Sequence, residues 1–350
     1  MASQEPQHPE TCKPNVQNSK ETEELELVMA LVVTGAAGLI GSHFVEFINK
    51  HGHQDVIAVD DLTDGHKFVN LRHLSIIDYL EKDDFLTLVK QGEFSNGIDG
   101  IIHLGACSAT TEWDGRYLMK NNYEYSKILF NHCTKFNISM IYASSAAVYG
   151  DGENGFRETQ QCENPKNAYA FSKVMFDNYV RQNSANISSQ VVGLRFFNVY
   201  GPQEQHKGSM ASTIYQFNRQ ILEEGRCALF GAYDGFEAGA QMRDFIYVED
   251  CSRVISWLLS KPTVSGIFNL GTGQARPFID VATAIQKWHS DRLNTTPKIE
   301  FIDFPDHLKG RYQSYTEADM SALRAAGYNM DFMSLEDGIF SYLDRANMGS

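Results

Sequence analysis

The segment LVMALVVTGAAGLIGSHFVEFINKHGHQDVIAVDD, residues 27–61, decides the fold. Its apolar run at 27–33 ends at Thr34-Gly35 and reads as a buried strand. The next stretch sets Phe44, Val45, Phe47 and Ile48 on one face, which is helical spacing. A second apolar run, DVIAVDD at 55–61, reads as a second buried strand. Between strand and helix stand Gly35, Gly38 and Gly41, in GxxGxxG spacing. Gly35 permits a tight turn, Gly38 lets the backbone approach a pyrophosphate, and Gly41 allows helix and strand to pack closely. The free N–H groups and dipole of a helix N-terminus then favour an anion. The glycine spacing alone is weak evidence, but its context is strong: a strand before, a helix after, and Asp60 at the tip of the second strand. Asp60 can accept bonds from adenosine ribose hydroxyls, which favours NAD, whereas Lys67 offers a phosphate partner. These residues leave the choice of dinucleotide open.

Working outward, apolar runs recur at 98–106 (IDGIIHLGA), 138–145 (ISMIYASS) and 189–198 (SQVVGLRFFN), with helix-like segments between them. Such alternation predicts an α/β protein whose parallel sheet is covered on both faces, a doubly wound Rossmann-type fold. After Asn198 the rhythm becomes irregular, with a helix near 210–224 and a loop at 231–241. The unit RDFIYVEDCSRVISWLL (243–259) can return to the sheet. The expected division is a nucleotide-binding domain of 29–197 plus about 242–270, and a smaller mixed α/β substrate domain of 198–241 plus about 271–350.

The 350 residues are 43% hydrophobic and 12% aromatic, which suits a globular chain and excludes collagen-like or wholly disordered ones. A net charge of −14 disfavours nucleic acid or an anionic membrane surface as partner, but not a small phosphorylated ligand met by local cations. Residues 1–28 hold six Glu and two Lys and read as a disordered acidic leader or a start-site artefact, without the pattern of a secretory signal. No run of about 18 apolar residues occurs, so no transmembrane helix is expected. Six scattered cysteines, without a CxxC pair or zinc-ligand spacing, read as reduced thiols in a cytoplasmic protein, and no metal site is expected.

Tyr169 and Lys173 stand four apart in a helical pattern, so both project from one face. A nearby ammonium stabilises a phenolate and makes a tyrosine useful as a base. Ser145, ending the 138–145 run, can hydrogen-bond the reacting oxygen. Chance alone supplies about one YxxxK pair in such a chain, and Tyr123 with Lys127 forms a decoy. A serine-ended strand precedes Tyr169, whereas none stands immediately ahead of the decoy.

The glycine loop, the Ser145–Tyr169–Lys173 order and RDFIYVED (243–250) resemble the extended short-chain dehydrogenase/reductases that act on nucleotide sugars. Within them the chain is similar to the ADP-L-glycero-D-manno-heptose 6-epimerase family. The strings DGHKFVNL (64–71), GACSATTEWDG (105–115), NNYEYSK (121–127), FNVYGPQEQHKGSMAS (197–212), FNLGTG (268–273), FPDHLKGRYQ (304–313) and LRAAGY (323–328) carry that likeness. HKGSMAS and KGRYQ are the most specific of them.

The resemblance implies an isomerase that inverts C6″ of an ADP-heptose, a lipopolysaccharide inner-core precursor, by transient oxidation with bound NADP, NAD being the alternative. It implies Tyr169 as one base and Lys207 as the other, with a phosphate grip as the plainer reading of Lys207. Gly35, Gly38, Leu39, Ile40, Gly41, Asp60, Asp61, Lys67, Lys82, Leu104, Gly105, Ala106, Cys107, Ser108, Asn121, Lys173, Val199 and Lys207 are then cofactor contacts. Asn198, Ser209, Gln216, Phe230, Gly231, Ala232, Tyr233, Arg243 and Tyr312 are substrate contacts. A homo-oligomer, pentameric in that family, is implied as well.

Gln216 and Leu104 depart from the His and Glu usual in the family, and the 234–242 loop is longer. Ala146 and Ala147 stand where related dehydratases carry an Asp-Glu pair, so elimination of water lacks its acid. The rival readings are a UDP-hexose 4-epimerase, another nucleotide-sugar epimerase, or a non-catalytic dinucleotide sensor. The joint presence of Ser145, Tyr169, Lys173 and Lys207 disfavours the sensor.

Overall fold

The computed structural model describes residues 29–310 and 312–348, so the acidic segment 1–28 lies outside the described residues. Twelve strands follow in chain order: β1 (Ala30–Thr34), β2 (Val56–Asp60), β3 (Asp78–Glu81), β4 (Ile98–His103), β5 (Ser139–Ser145), β6 (Val191–Phe196), β7 (Asn198–Tyr200), β8 (Arg226–Phe230), β9 (Met242–Tyr247), β10 (Gly266–Leu270), β11 (Ala275–Pro277) and β12 (Lys298–Ile302). Seven of them form one parallel sheet in the order β10-β6-β5-β4-β1-β2-β3. A parallel strand covered on both faces must be apolar throughout, and all five residues of β1 are buried. Leu31 and Val33 point into one core layer with Phe44, Val45 and Ile48 of helix Leu39–Lys50. Ala30 and Val32 point into the opposite layer, with Phe85, Leu129, Phe130 and Phe176. The period-two alternation of a strand thus builds two cores from one run.

The chain runs outward from β1 through β2 to β3, then returns to β4 on the other side of β1. Neighbouring connections leave the sheet in opposite directions at that point, opening a crevice beyond the carboxyl ends of β1 and β4. The site described below lies there.

The expected return of 243–259 to the sheet divides in two. Helix Val248–Leu259 does come back, packing its Cys251, Val254, Ile255 and Leu258 into the layer beside helix Leu39–Lys50. Strand β9 does not: it lies in a separate three-stranded sheet, β11-β9-β7. The open edge beside β6 is taken instead by β10, where Gly266–Leu270 pairs with Val192–Phe196. Asp244 holds β9 where it is, its buried carboxylate accepting from the backbone N–H of Thr272 (2.7 Å), Gly273 (2.9 Å) and Ala318 (3.0 Å). A two-stranded sheet, β12-β8, completes the strands. A third core, with Ile214, Phe217, Leu229, Phe245, Ile285, Trp288, Ile339 and Leu343, lies beneath these smaller sheets. No described helix is long and apolar enough to cross a membrane.

Candidate active site

Gly35 has φ +70°, a conformation open to glycine at little cost, and a Cβ there would lie 2.6 Å from the Gly105 nitrogen. That contact brings the turn after β1 against the segment after β4. Gly38 caps helix Leu39–Lys50 with no side-chain hydrogen bond, so the first-turn N–H groups face the crevice. Gly41 packs on the turn itself, where a Cβ would meet the Gly35 carbonyl oxygen at 2.1 Å.

The crevice opens into a cleft of about 790 Å³. Gly35, Gly38, Leu39, Ile40, Gly41, Asp60, Asp61, Lys67, Lys82, the whole 104–108 segment, Asn121 and Val199 line it. Ser145, Tyr169, Lys173, Lys207 and Asn198 line it as well. Asp60 accepts from the Ala37 N–H (2.7 Å) and is ion-paired with Lys67. Lys82 lies 3.3 Å from Asp61. Hydrogen bonds from Thr63 hold the Asp61 carboxyl at about 2, so it is anionic at neutral pH. Two cations therefore stand beside the two carboxylates at the end of β2. A glycine-lined helix N-terminus, a ribose-accepting carboxylate and adjacent cations together fit a dinucleotide.

Helix Ala168–Asn183 carries the remaining candidate groups, started by Asn167, whose side chain accepts from the Ala170 N–H at 2.8 Å. Tyr169, Lys173 and Asp177 follow one another at successive turns, all buried. The Lys173 ammonium donates to the Ala143 carbonyl at 2.8 Å and lies 5.9 Å from the Tyr169 ring centre. Burial lowers its pKa to about 8, against the opposing pull of Asp177. Burial raises the Tyr169 phenol, and its hydrogen bond with Ser145 acts the other way. Burial also lowers Lys207, opposed by Glu204, so that lysine gives up a proton more readily than a solvated one.

Asp177 takes Tyr142 (3.0 Å), Ser144 (2.9 Å) and both Nε (3.0 Å) and Nη2 (2.8 Å) of Arg195. Tyr142 and Ser144 flank Ala143, the residue that receives Lys173. Asn122 ties helix Ala168–Asn183 to the segment after β4, bonding the Cys107 N–H (2.9 Å), the Cys107 carbonyl (3.0 Å) and Ser172 Oγ (3.1 Å). The decoy pair stands apart from the cleft: Lys127 lies over the Tyr123 ring at 4.7 Å and bonds Glu124.

The other expected substrate residues fall into two groups away from the cleft lining. Ser209 lies on the short helical turn Gln205–Met210, and Gln216 reaches back to that turn, donating to the Gly208 carbonyl at 2.7 Å. Phe230, Gly231, Ala232, Tyr233, Arg243 and Tyr312 form the second group, around β8 and β9. Tyr233 stacks on Phe304 at 3.9 Å, and Phe230 meets Tyr312 at 6.0 Å. The Arg243 guanidinium lies 5.0 Å from the Tyr312 ring, buried, which lowers its pKa. The sequence reading missed His206, Tyr117, Thr63 and Asp64, which also line the cleft. They sit on turns or a single helical turn, where periodicity gives no signal.

A model of the NAD dependent epimerase/dehydratase family matches residues 31–271. An ADP-L-glycero-D-manno-heptose-6-epimerase of Alkalilimnicola ehrlichii is 53% identical over 314 residues, 90% of this chain and 96% of that protein. The solved ADP-L-glycero-D-manno-heptose-6-epimerase of Helicobacter pylori superposes with a TM-score of 0.76 at 27% identity, covering 93% of this chain and 98% of that one. A UDP-N-acetylglucosamine 4-epimerase of Methanobrevibacter ruminantium shares the fold, with a TM-score of 0.76 at 24% identity over 92% of this chain and 99% of that one. With its glycine loop and Ser–Tyr–Lys set opening on one cleft, the chain belongs to the NAD dependent epimerase/dehydratase family, and within it to the ADP-L-glycero-D-manno-heptose-6-epimerases.

Proposed function

We propose that the cleft inverts C6″ of ADP-glycero-manno-heptose, with NADP as its resident cofactor. The observation that carries this reading is the presence of Tyr169 and Lys207, two groups fit to handle a proton, in the cleft that holds the glycine loop. The chemistry a bound nicotinamide supplies is removal of a hydride from C6″ and its return to the opposite face. Tyr169, as a phenolate beside the Lys173 ammonium, takes the hydroxyl proton on one face while Ser145 holds the oxygen. On the other face Lys207 delivers a proton to the ketone oxygen as the hydroxyl re-forms, and exchange with solvent restores both groups. No carboxylate follows Ser145, where Ala146 and Ala147 begin a short helical turn, so the ketone has no acid there to expel a neighbouring hydroxyl.

NADP in preference to NAD is supported by Lys67 and Lys82, which stand at the strand end that meets the adenosine ribose. Arg243, buried against the rings of Phe278 and Tyr312, suits the substrate pyrophosphate. A cytoplasmic, homo-oligomeric enzyme with a nucleotide-binding and a substrate-binding domain completes the proposal.

The test is incubation of the protein with ADP-D-glycero-manno-heptose, the epimers being followed by chromatography. Conversion to the L-glycero epimer is expected; none from a folded, NADP-loaded protein overturns the reading. Lys207→Met is expected to lower turnover by at least about 10²-fold with the cofactor retained. Full activity in that variant would leave Lys207 a phosphate contact alone. Turnover should also fall on the alkaline side as Lys173 loses its proton near its pKa of about 8. Asp177 opposes the depression of that pKa, so Asp177→Asn should move the alkaline limb of the pH–kcat profile to lower pH. An unmoved limb would show that Lys173 does not set it.

A further inference from the structure

The turn that bears Lys207 is held from two directions. On its own side, the Lys207 N–H donates to the Glu204 carbonyl at 2.9 Å. The buried Glu204 carboxylate accepts from the Ser212 N–H (2.5 Å) and hydroxyl (2.6 Å). From the side of the glycine loop comes Asn70, on the short helical turn Gly65–Asn70 that also carries Lys67. Asn70 is only 3% exposed. Its amide nitrogen donates to the Ala37 carbonyl at 2.9 Å and to the Gln203 carbonyl at 3.0 Å, and faces His206 Nδ1 at 3.3 Å. Two carbonyl acceptors on one side fix which end of the amide points there. Gln203 itself has φ +74°, uncommon for a residue with a side chain, and its Oε1 accepts from Ser42 Oγ at 3.1 Å. Ser42 belongs to helix Leu39–Lys50, and Ala37 to the glycine loop, where its N–H donates to Asp60. A strained residue persists only where its surroundings over-determine it, and these bonds supply that constraint.

We infer that Asn70 is a positioning residue for Lys207, its buried amide tying the lysine-bearing turn to the glycine loop so that base and dinucleotide share one frame. The inference rests on the reading of Lys207 as the second base. Asn70 touches the loop that receives the pyrophosphate and the turn that presents the lysine, so a shift of one against the other must break a buried hydrogen bond. A buried donor left without its acceptor is costly, which keeps the two in register. The sign of the effect follows: without Asn70 the cofactor still has its helix N-terminus, Asp60 and Lys67, while Lys207 loses its fixed distance from them.

The test compares Asn70→Asp, Lys207→Met and the double variant at saturating NADP. An aspartate keeps the shape of Asn70 but, ionised, has no N–H to give the two carbonyls. Asn70→Asp is expected to lower kcat about 10- to 100-fold, the scale of a small misplacement of a catalytic group. The KM for the ADP-heptose should stay near that of the unaltered protein. The double variant should be no slower than Lys207→Met, because the residue being positioned is already gone. Should Asn70→Asp fail to fold, Ser42→Ala removes the bond to Gln203, which leads into that turn, and should show the same lack of additivity. Unaltered kcat in Asn70→Asp, or losses that multiply in the double variant, would overturn the positioning role. A Lys207→Met variant at full speed would instead remove the second-base reading and the inference with it.

Discussion

Tyr169→Phe is expected to lower kcat by about 10³-fold with either epimer as substrate, while the dinucleotide stays bound. The phenol is buried in a wall of the cleft, its hydroxyl hydrogen-bonded with Ser145 and its ring 5.9 Å from the Lys173 ammonium. Phenylalanine keeps the ring and its packing but deletes the oxygen that we propose takes the C6″ hydroxyl proton. Lys173 keeps its bond to Ala143, so the helix has no reason to move. Turnover assays from both epimers, with the nucleotide content of the purified variant measured alongside, check the prediction. Turnover within a few-fold of the unaltered protein would mean that another group takes the proton.

Gly41→Ala should cost about 3 kcal/mol or more and release the dinucleotide. The added carbon would lie 2.1 Å from the Gly35 carbonyl oxygen and 2.7 Å from its carbon. Both atoms are backbone, so no flexible side chain can yield. Helix Leu39–Lys50 must then lift from β1, and the first-turn N–H groups leave the crevice. Gly115→Ala is the control, since a carbon added there meets nothing within 4 Å. Thermal unfolding and NADP titration of both variants give the answer: the control should match the parent, and Gly41→Ala should melt earlier and bind weakly. A Gly41→Ala protein with an unchanged midpoint and unchanged NADP affinity would contradict the packing argument.

The central sheet was legible in the chain because a strand buried on both faces writes a continuous apolar run, as Ala30–Val33 and Val56–Val59 do. The same property conceals which sheet a run joins. MRDFIY carries Arg243 and Asp244 yet is nearly as buried as the sheet strands, and its pairing with β7 and β11, with the bonds of Asp244 to residues 28 to 74 positions away, assigns it to the smaller sheet. Ser145, Tyr169 and Lys173 were readable from order and helical spacing. Asn70 was not: a lone asparagine in DGHKFVNL carries no sign that its amide will bridge residues 33 positions before it and 133 after. Phe230, Tyr233, Arg243 and Tyr312 were named together from the resemblance, but nothing in the chain told that Phe304 would stack on Tyr233 and meet Tyr312.

A single residue, Phe197, separates β6 of the large sheet from β7 of the small one. It is no loose joint: its N–H donates to the Leu270 carbonyl at 3.0 Å, and its ring lies against Tyr149 and Phe156. The two walls of the cleft therefore meet at a welded corner and not at a hinge. The same stiffness bears on stereochemistry. A ketone that must show first one face and then the other to a fixed hydride site cannot rely on the walls to turn, so the rotation belongs to the heptose end of the ligand.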